Sequence, residues 1–179
     1  MEKISENFRA PNALESRTLY LLTFTCYGTH LHGAASGSFE RRFTGTRPRP
    51  PHAGLEAAMR RTMVQEPYSL TAQIRPLVLE AIQARATRRG WDLLAIHVRT
   101  THVHLVLSAP VPPDQALTAV KAAASEALNL AGYDSAERRR WTRHGSTRAL
   151  PTSAAFHAAI HYLVHAQGEP MSLYVAPSR

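Results

Sequence analysis

Cys26 is the only cysteine in the sequence, which excludes an intramolecular disulfide and a cysteine-based zinc site. Any metal must then be held by His, Asp, Glu or Gln. Lysine is nearly missing as well: Lys3 and Lys121 are the only two, and arginine supplies the rest of the positive charge. No apolar run approaches the roughly 20 residues of a membrane-spanning helix. The first residues, Met1 to Glu6, mix charges without the apolar segment of a secretory signal. A cytoplasmic, nucleoid-associated protein with no membrane partner is expected.

The chain has 179 residues, 44% of them hydrophobic and 19% charged, enough for one domain with its own core. Its net charge is +8. Because the guanidinium fork suits phosphate, an arginine-based excess favours a nucleic-acid partner. Residues 1–17 read as a polar arm, 18–170 as the folded domain, and 171–179 as a C-terminal tail. Within the domain, 33–63 reads as a basic loop insertion. Its glycines, Pro48, Pro50 and Pro51 argue against regular structure over most of it, with a short helix expected near Leu55–Met63.

Thr18 to Tyr27 is rich in β-branched and aromatic residues and predicts a strand. Ile74, Leu77, Val78, Ala81 and Ile82 form the stripe of an amphipathic helix that stops at Gly90. Trp91–Val98 and His102–Ser108 predict a hairpin. Asp114 is placed to cap a helix that Gly132 closes, and Ser153 to cap a last one that Gly168 closes. The segment 138–148 is expected to be partly strand. This order, β-α-β-β-α-β and a C-terminal helix, predicts an α+β, ferredoxin-like antiparallel sheet with its helices on one face.

His102-Val103-His104 is the sharpest chemical feature. Alternate residues of a strand share a face, so the two imidazoles project together as a bidentate metal platform while Val103, Leu105 and Leu107 face the helices. His30-Leu31-His32 has the same pattern ahead of a Gly-rich loop, and no function is drawn from it. On the last helix, Phe156 and Ile160 centre the apolar stripe and Tyr162 lies opposite it, near His165. Such a tyrosine is either a surface residue or one that a cleft uses. His161 and His165, at i and i+4, also suit zinc and keep a His-based metal hydrolase open.

His102 to Leu107, then a helix, a basic segment and a terminal helix with Tyr162 and Gln167-Gly168, resembles the single-tyrosine HUH transposases. These include insertion-sequence enzymes and REP-associated tyrosine transposases. Leu22 to Thr29 and Trp141 to Arg148 resemble one bacterial branch of that group. The resemblance covers about residues 18–168 and implies a ferredoxin-like fold. It implies Mg²⁺ or Mn²⁺ on His102, His104 and a polar residue of the tyrosine helix. Tyr162 would be the nucleophile on single-stranded or hairpin DNA, giving a 5′-phosphotyrosine and a free 3′-hydroxyl. In many relatives the third ligand follows the tyrosine by four residues, where this chain has Ala166. His165 or Gln167 is left for that role, and Gln167 would face the core unless the helix ends first. Arg138, Arg139, Arg140, Trp141 and Arg143, with Arg41 and Arg42, are the candidate DNA contacts, Trp141 either stacking on a base or packing in the core. An inactive DNA-hairpin-binding module, and a homodimer exchanging its terminal helix, remain alternatives.

Overall fold

The computed structural model describes residues 17–177 apart from 36, 37, 43 and 44, with backbone only at 38–42 and 45–49. β1 (Thr18–Thr25), β4 (Asp92–Val98), β5 (His102–Ala109), β6 (Ser146–Ala149) and β7 (Ser172–Val175) form one sheet in the order β6-β1-β5-β4-β7. Every neighbouring pair is antiparallel. With α2 (Arg75–Arg88) and α3 (Pro113–Leu130), the first four of these strands make the expected β-α-β-β-α-β arrangement.

The helices do not share one face. α2 and α3 cover the side into which Leu22, Phe24, Val103, Leu105 and Leu107 point. α4 (Ser153–His165) covers the other side, packing Phe156, Ala159 and Leu163 on Ala95 and Val106. Two-sided burial is the physical reason: Val106 is apolar on the same strand face as His102 and His104, and it needs a partner layer. Within β5 all residues after His102 are buried. A sheet apolar on both faces cannot leave one to water.

Three other expectations change. The tail is not a tail, because its first residues form β7 and pair with the edge of β4, Leu173 opposite His97. Inside the expected irregular insertion, β2 (Ser38–Arg42) and β3 (Gly45–Arg49) pair as an antiparallel ribbon, followed by α1 (Ala53–Arg61). A two-stranded ribbon leaves one edge of each strand unpaired, so Pro48 is tolerated there. Helix starts also shift, by one residue in α4 and two in α3. Thr152 rather than Ser153 caps α4, accepting from Ala155 N at 3.1 Å, and Asp114 lies within the first turn of α3 instead of capping it. Of the expected arm, only Arg17 falls among the described residues, paired with Asp92 at 3.0 Å. No helix among the described residues is long and apolar enough to cross a membrane.

Candidate active site

The register of the sheet sets a polar row across its α4 face. Ser146 lies opposite Thr23, Thr23 opposite His104, and His104 opposite His97. His102 lies one pleat along, opposite Thr25. The two imidazoles of the His-x-His pair are 4.7 Å apart between ring centres. Each is steadied on its Nδ1 side by a hydroxyl, His104 by Thr23 Oγ1 at 2.7 Å and His102 by Thr101 Oγ1 at 3.0 Å. A hydroxyl donates or accepts as required, so the Nδ1 side of each ring is satisfied in either tautomer, including the one that would bare Nε2 to a metal.

The end of α4 brings the remaining groups. The helix stops at His165, and Gly168, with φ +73°, turns the chain back toward β7. Because the helix ends first, Gln167 leaves the helical register that would have turned it to the core. Its Oε1 lies 3.2 Å from His104 Nε2 and 3.4 Å from His102 Nε2. Tyr162, a turn earlier and 43% exposed, sets its ring edge-on to His104 with 5.5 Å between centres. His165 is exposed and meets His161 instead, at 5.0 Å between rings. Among the described residues no third His, Cys, Asp or Glu joins that outer pair in a metal-binding group.

Burial pushes His104 down to about 4, the neighbouring His102 reinforcing it and the Gln167 contact opposing it. His102 is lowered too, again mainly by burial, with Arg99, His97 and His30 adding to the effect against the Gln167 contact. Both rings are therefore neutral at physiological pH, the state in which imidazole can ligate. The donor set fits a divalent ion. Two adjacent donors each about 2.1 Å from a shared ion stand about 3.0–3.4 Å apart, and the observed Gln167 separations are 3.2 and 3.4 Å. Two imidazole nitrogens and an amide oxygen suit Mg²⁺, Mn²⁺ or Zn²⁺. All three donors are uncharged, which leaves the charge of an ion available to an anionic substrate. Cys26 takes no part: burial raises its thiol to about 12.

The expected DNA contacts divide. Trp141 packs edge-on against Phe24 at 4.9 Å and donates to Ser125 Oγ at 2.9 Å. Arg140 is 3% exposed and its guanidinium pairs with Asp134. Arg138 lies over the Tyr68 ring and donates to the Glu66 and Pro67 carbonyls. These three build the approach to β6, Arg140 buried and Arg138 and Trp141 half-buried. Arg139 and Arg143 are exposed. The side chains of Arg41 and Arg42 lie outside the described residues. Sequence reasoning passed over Thr23, Thr101, His97 and Arg99, and also Arg148, which is exposed on the α4 face of β6. For Thr23, the signal available was its place in a strand whose alternate residues are all buried.

No family profile and no curated protein matches this chain. Among solved structures it matches a REP-associated tyrosine transposase bound to a REP hairpin. That match has a TM-score of 0.50 at 11% identity over 87% of this chain and 69% of that one. A candidate transposase from Deinococcus radiodurans R1 matches with a TM-score of 0.44 at 15% identity, over 89% and 98% of the two chains. The protein thus has the fold of a REP-associated tyrosine transposase.

Proposed function

We propose that this protein is a divalent-metal-dependent transposase that cleaves and rejoins single-stranded DNA at hairpin repeats through a 5′-phosphotyrosine on Tyr162. The observation that carries the reading is one convergence: His102 Nε2, His104 Nε2, Gln167 Oε1 and the exposed ring of Tyr162 on a single sheet face. The fold of a transposase bound to a REP hairpin supports the substrate class.

His102, His104 and Gln167 would hold Mg²⁺ or Mn²⁺, which would neutralise charge on the scissile phosphate and polarise it toward attack. Tyr162 supplies the nucleophile from the rim of the site, where a strand in solution reaches it. Its phenolic oxygen forms a bond to phosphorus as the bond to the 3′-oxygen breaks; the phenol gives up its proton and the departing oxygen gains one. Product DNA carries a free 3′-hydroxyl, and the other fragment stays on the enzyme through its 5′-phosphate. Attack by a 3′-hydroxyl reverses the step and joins DNA with no nucleotide cofactor, because the phosphotyrosine retains the phosphodiester energy. Thr23 and Thr101 keep the two rings oriented. Arg139, Arg143 and Arg148 are exposed cations for flanking phosphates.

Covalent trapping tests the proposal. Wild type and Tyr162→Phe are incubated with labelled hairpin DNA from the flanks of the gene, with Mn²⁺ or with EDTA, and resolved on a denaturing gel. An adduct that needs both the metal and Tyr162 is expected. Tight hairpin binding with no adduct under any metal would make the protein a binding module of the same fold.

A further inference from the structure

His97 is a fully buried histidine on β4, directly opposite His104, that neither the His-x-His pair nor the tyrosine explains. Burying an imidazole is costly unless both nitrogens find partners. Here both partners are backbone, and they bracket the segment that carries Gln167. Nδ1 lies 3.0 Å from Leu163 O, in the last turn of α4 and next to Tyr162. Nε2 accepts from Met171 N at 3.1 Å, just before β7. A backbone N–H only donates, so Nε2 is the acceptor and Nδ1 carries the proton that goes to Leu163 O. The ring is held in one tautomer on both sides, whereas the hydroxyls at Nδ1 of His102 and His104 would accept either.

Arg99 adds a third tie. Its Nη1 donates to Glu169 O at 3.0 Å and lies 3.4 Å from His97 Nε2. The chain between Leu163 and Met171 is therefore anchored at 163, 169 and 171, with Gln167 inside the anchored span. Ala166 N still bonds to Tyr162 O, but beyond it the helical ladder has ended. The position of Gln167 then depends on what holds the return: the β4–β7 ladder from Ser172 onward, and ahead of it His97 and Arg99.

We infer that His97 and Arg99 are positioning residues: they staple the end of the tyrosine helix to β4 and so set Gln167, and with it the third donor, over His102 and His104. This rests on the proposed metal site but not on the cleavage chemistry. Neither residue touches a ligand. Their effect passes through the backbone of 163–171.

The test uses the full chain and Mn²⁺ alone. Mn²⁺ affinity is measured by titration for wild type, His97→Asn, Arg99→Met, Gln167→Ala, His102→Ala and the double variant His97→Asn/Gln167→Ala. Asn keeps a donor where Nδ1 stands and loses the acceptor for Met171 N. Arg99→Met keeps His97 with both of its backbone partners and leaves the core intact, which guards against a variant that merely fails to fold. Losses of about 10–100-fold in affinity are expected for His97→Asn and Arg99→Met, the range typical of groups that orient ligands. The double variant should bind no worse than Gln167→Ala alone, since the staple acts only through Gln167. In the metal-free protein, hydrogen exchange at Met171 N–H should accelerate in His97→Asn while the strand amides of β1 and β5 stay protected. Affinity that falls in His102→Ala but holds in both staple variants overturns the inference and leaves the metal site standing. Additive losses in the double variant overturn it as well, in favour of general loosening. Wild type that binds no Mn²⁺, or binding that His102→Ala leaves unchanged, removes the metal site and the inference with it.

Discussion

The ring of Tyr162 stands edge-on to the imidazole of His104, 75° between planes and 5.5 Å between centres. The contact joins a helix residue to a strand residue 58 positions earlier (162 less 104), and it brings the proposed nucleophile to the proposed metal ligands within one chain. Removing only the hydroxyl keeps that packing. Tyr162→Phe is expected to abolish the covalent DNA adduct while leaving Mn²⁺ affinity and the unfolding midpoint close to wild type, because the side chain is half exposed. Gel trapping and a urea titration read the two properties; an adduct in the variant would move the nucleophile elsewhere.

Gln167 is neutral and is the proposed third donor, so changing its charge should change metal binding and not the fold. Gln167→Ala is expected to weaken Mn²⁺ binding by at least about tenfold. Gln167→Glu should tighten it, since a carboxylate adds charge at the same reach. Calorimetric titration measures both, and a weaker Gln167→Glu site would count against Gln167 as a ligand.

Thr23 meets His104 on the side away from Gln167, at 2.7 Å. Thr23→Val keeps the shape and removes the hydroxyl. Mn²⁺ affinity should fall by about 10–100-fold with little loss of hairpin binding. Equal Mn²⁺ affinities for the two proteins would deny Thr23 any role in orienting the ring.

The depressed His104 implies a pH-dependent stability. In the unfolded chain it titrates at 6.5, in the folded protein at about 4. Between those values the unfolded state binds a proton that the folded state refuses, so stability falls as pH drops from about 6.5 to about 4 and is flat above. The whole shift corresponds to on the order of 3 kcal/mol, with His102 acting in the same direction. Urea midpoints of the metal-free protein at pH 4.5, 5.5 and 7.5 should decline toward acid, and less steeply in His104→Gln. Identical slopes in the two proteins would assign the acid sensitivity to other groups.

Arg140 and Arg148 separate fold from binding. Arg140→Ala leaves the half-buried Asp134 with only the Tyr68 hydroxyl and removes a buried guanidinium, and should lose about 1–3 kcal/mol of stability. Arg148→Ala, on an exposed strand residue, should change stability by less than about 0.5 kcal/mol yet reduce the salt dependence of hairpin binding by about one phosphate contact. An unchanged salt slope would take Arg148 off the DNA path.

The order of the central elements, the His-x-His pair on one face of a strand, and Tyr162 away from the apolar stripe were all legible from local pattern. Period-two alternation places His102 and His104 together without knowledge of any partner strand, and helical period places Tyr162 opposite Phe156. What the pattern could not carry was anything set by a neighbour distant in sequence. β7 spans four residues and exists only because β4 offers an open edge to pair with. Arg140 is buried and Trp141 packs on the edge of the core because Asp134 and Phe24 meet them there, although a basic segment around an aromatic reads equally well as a ligand surface. Which of His165 and Gln167 lies over the two histidines was likewise tertiary. Helical geometry alone favours His165, but the helix ends there, Gly168 reverses the chain, and the backbone ties from His97 and Arg99 carry Gln167 back over the histidines. Local sequence determined which side chains share a face; the strand register and the anchored turn after α4 decided which of them meet.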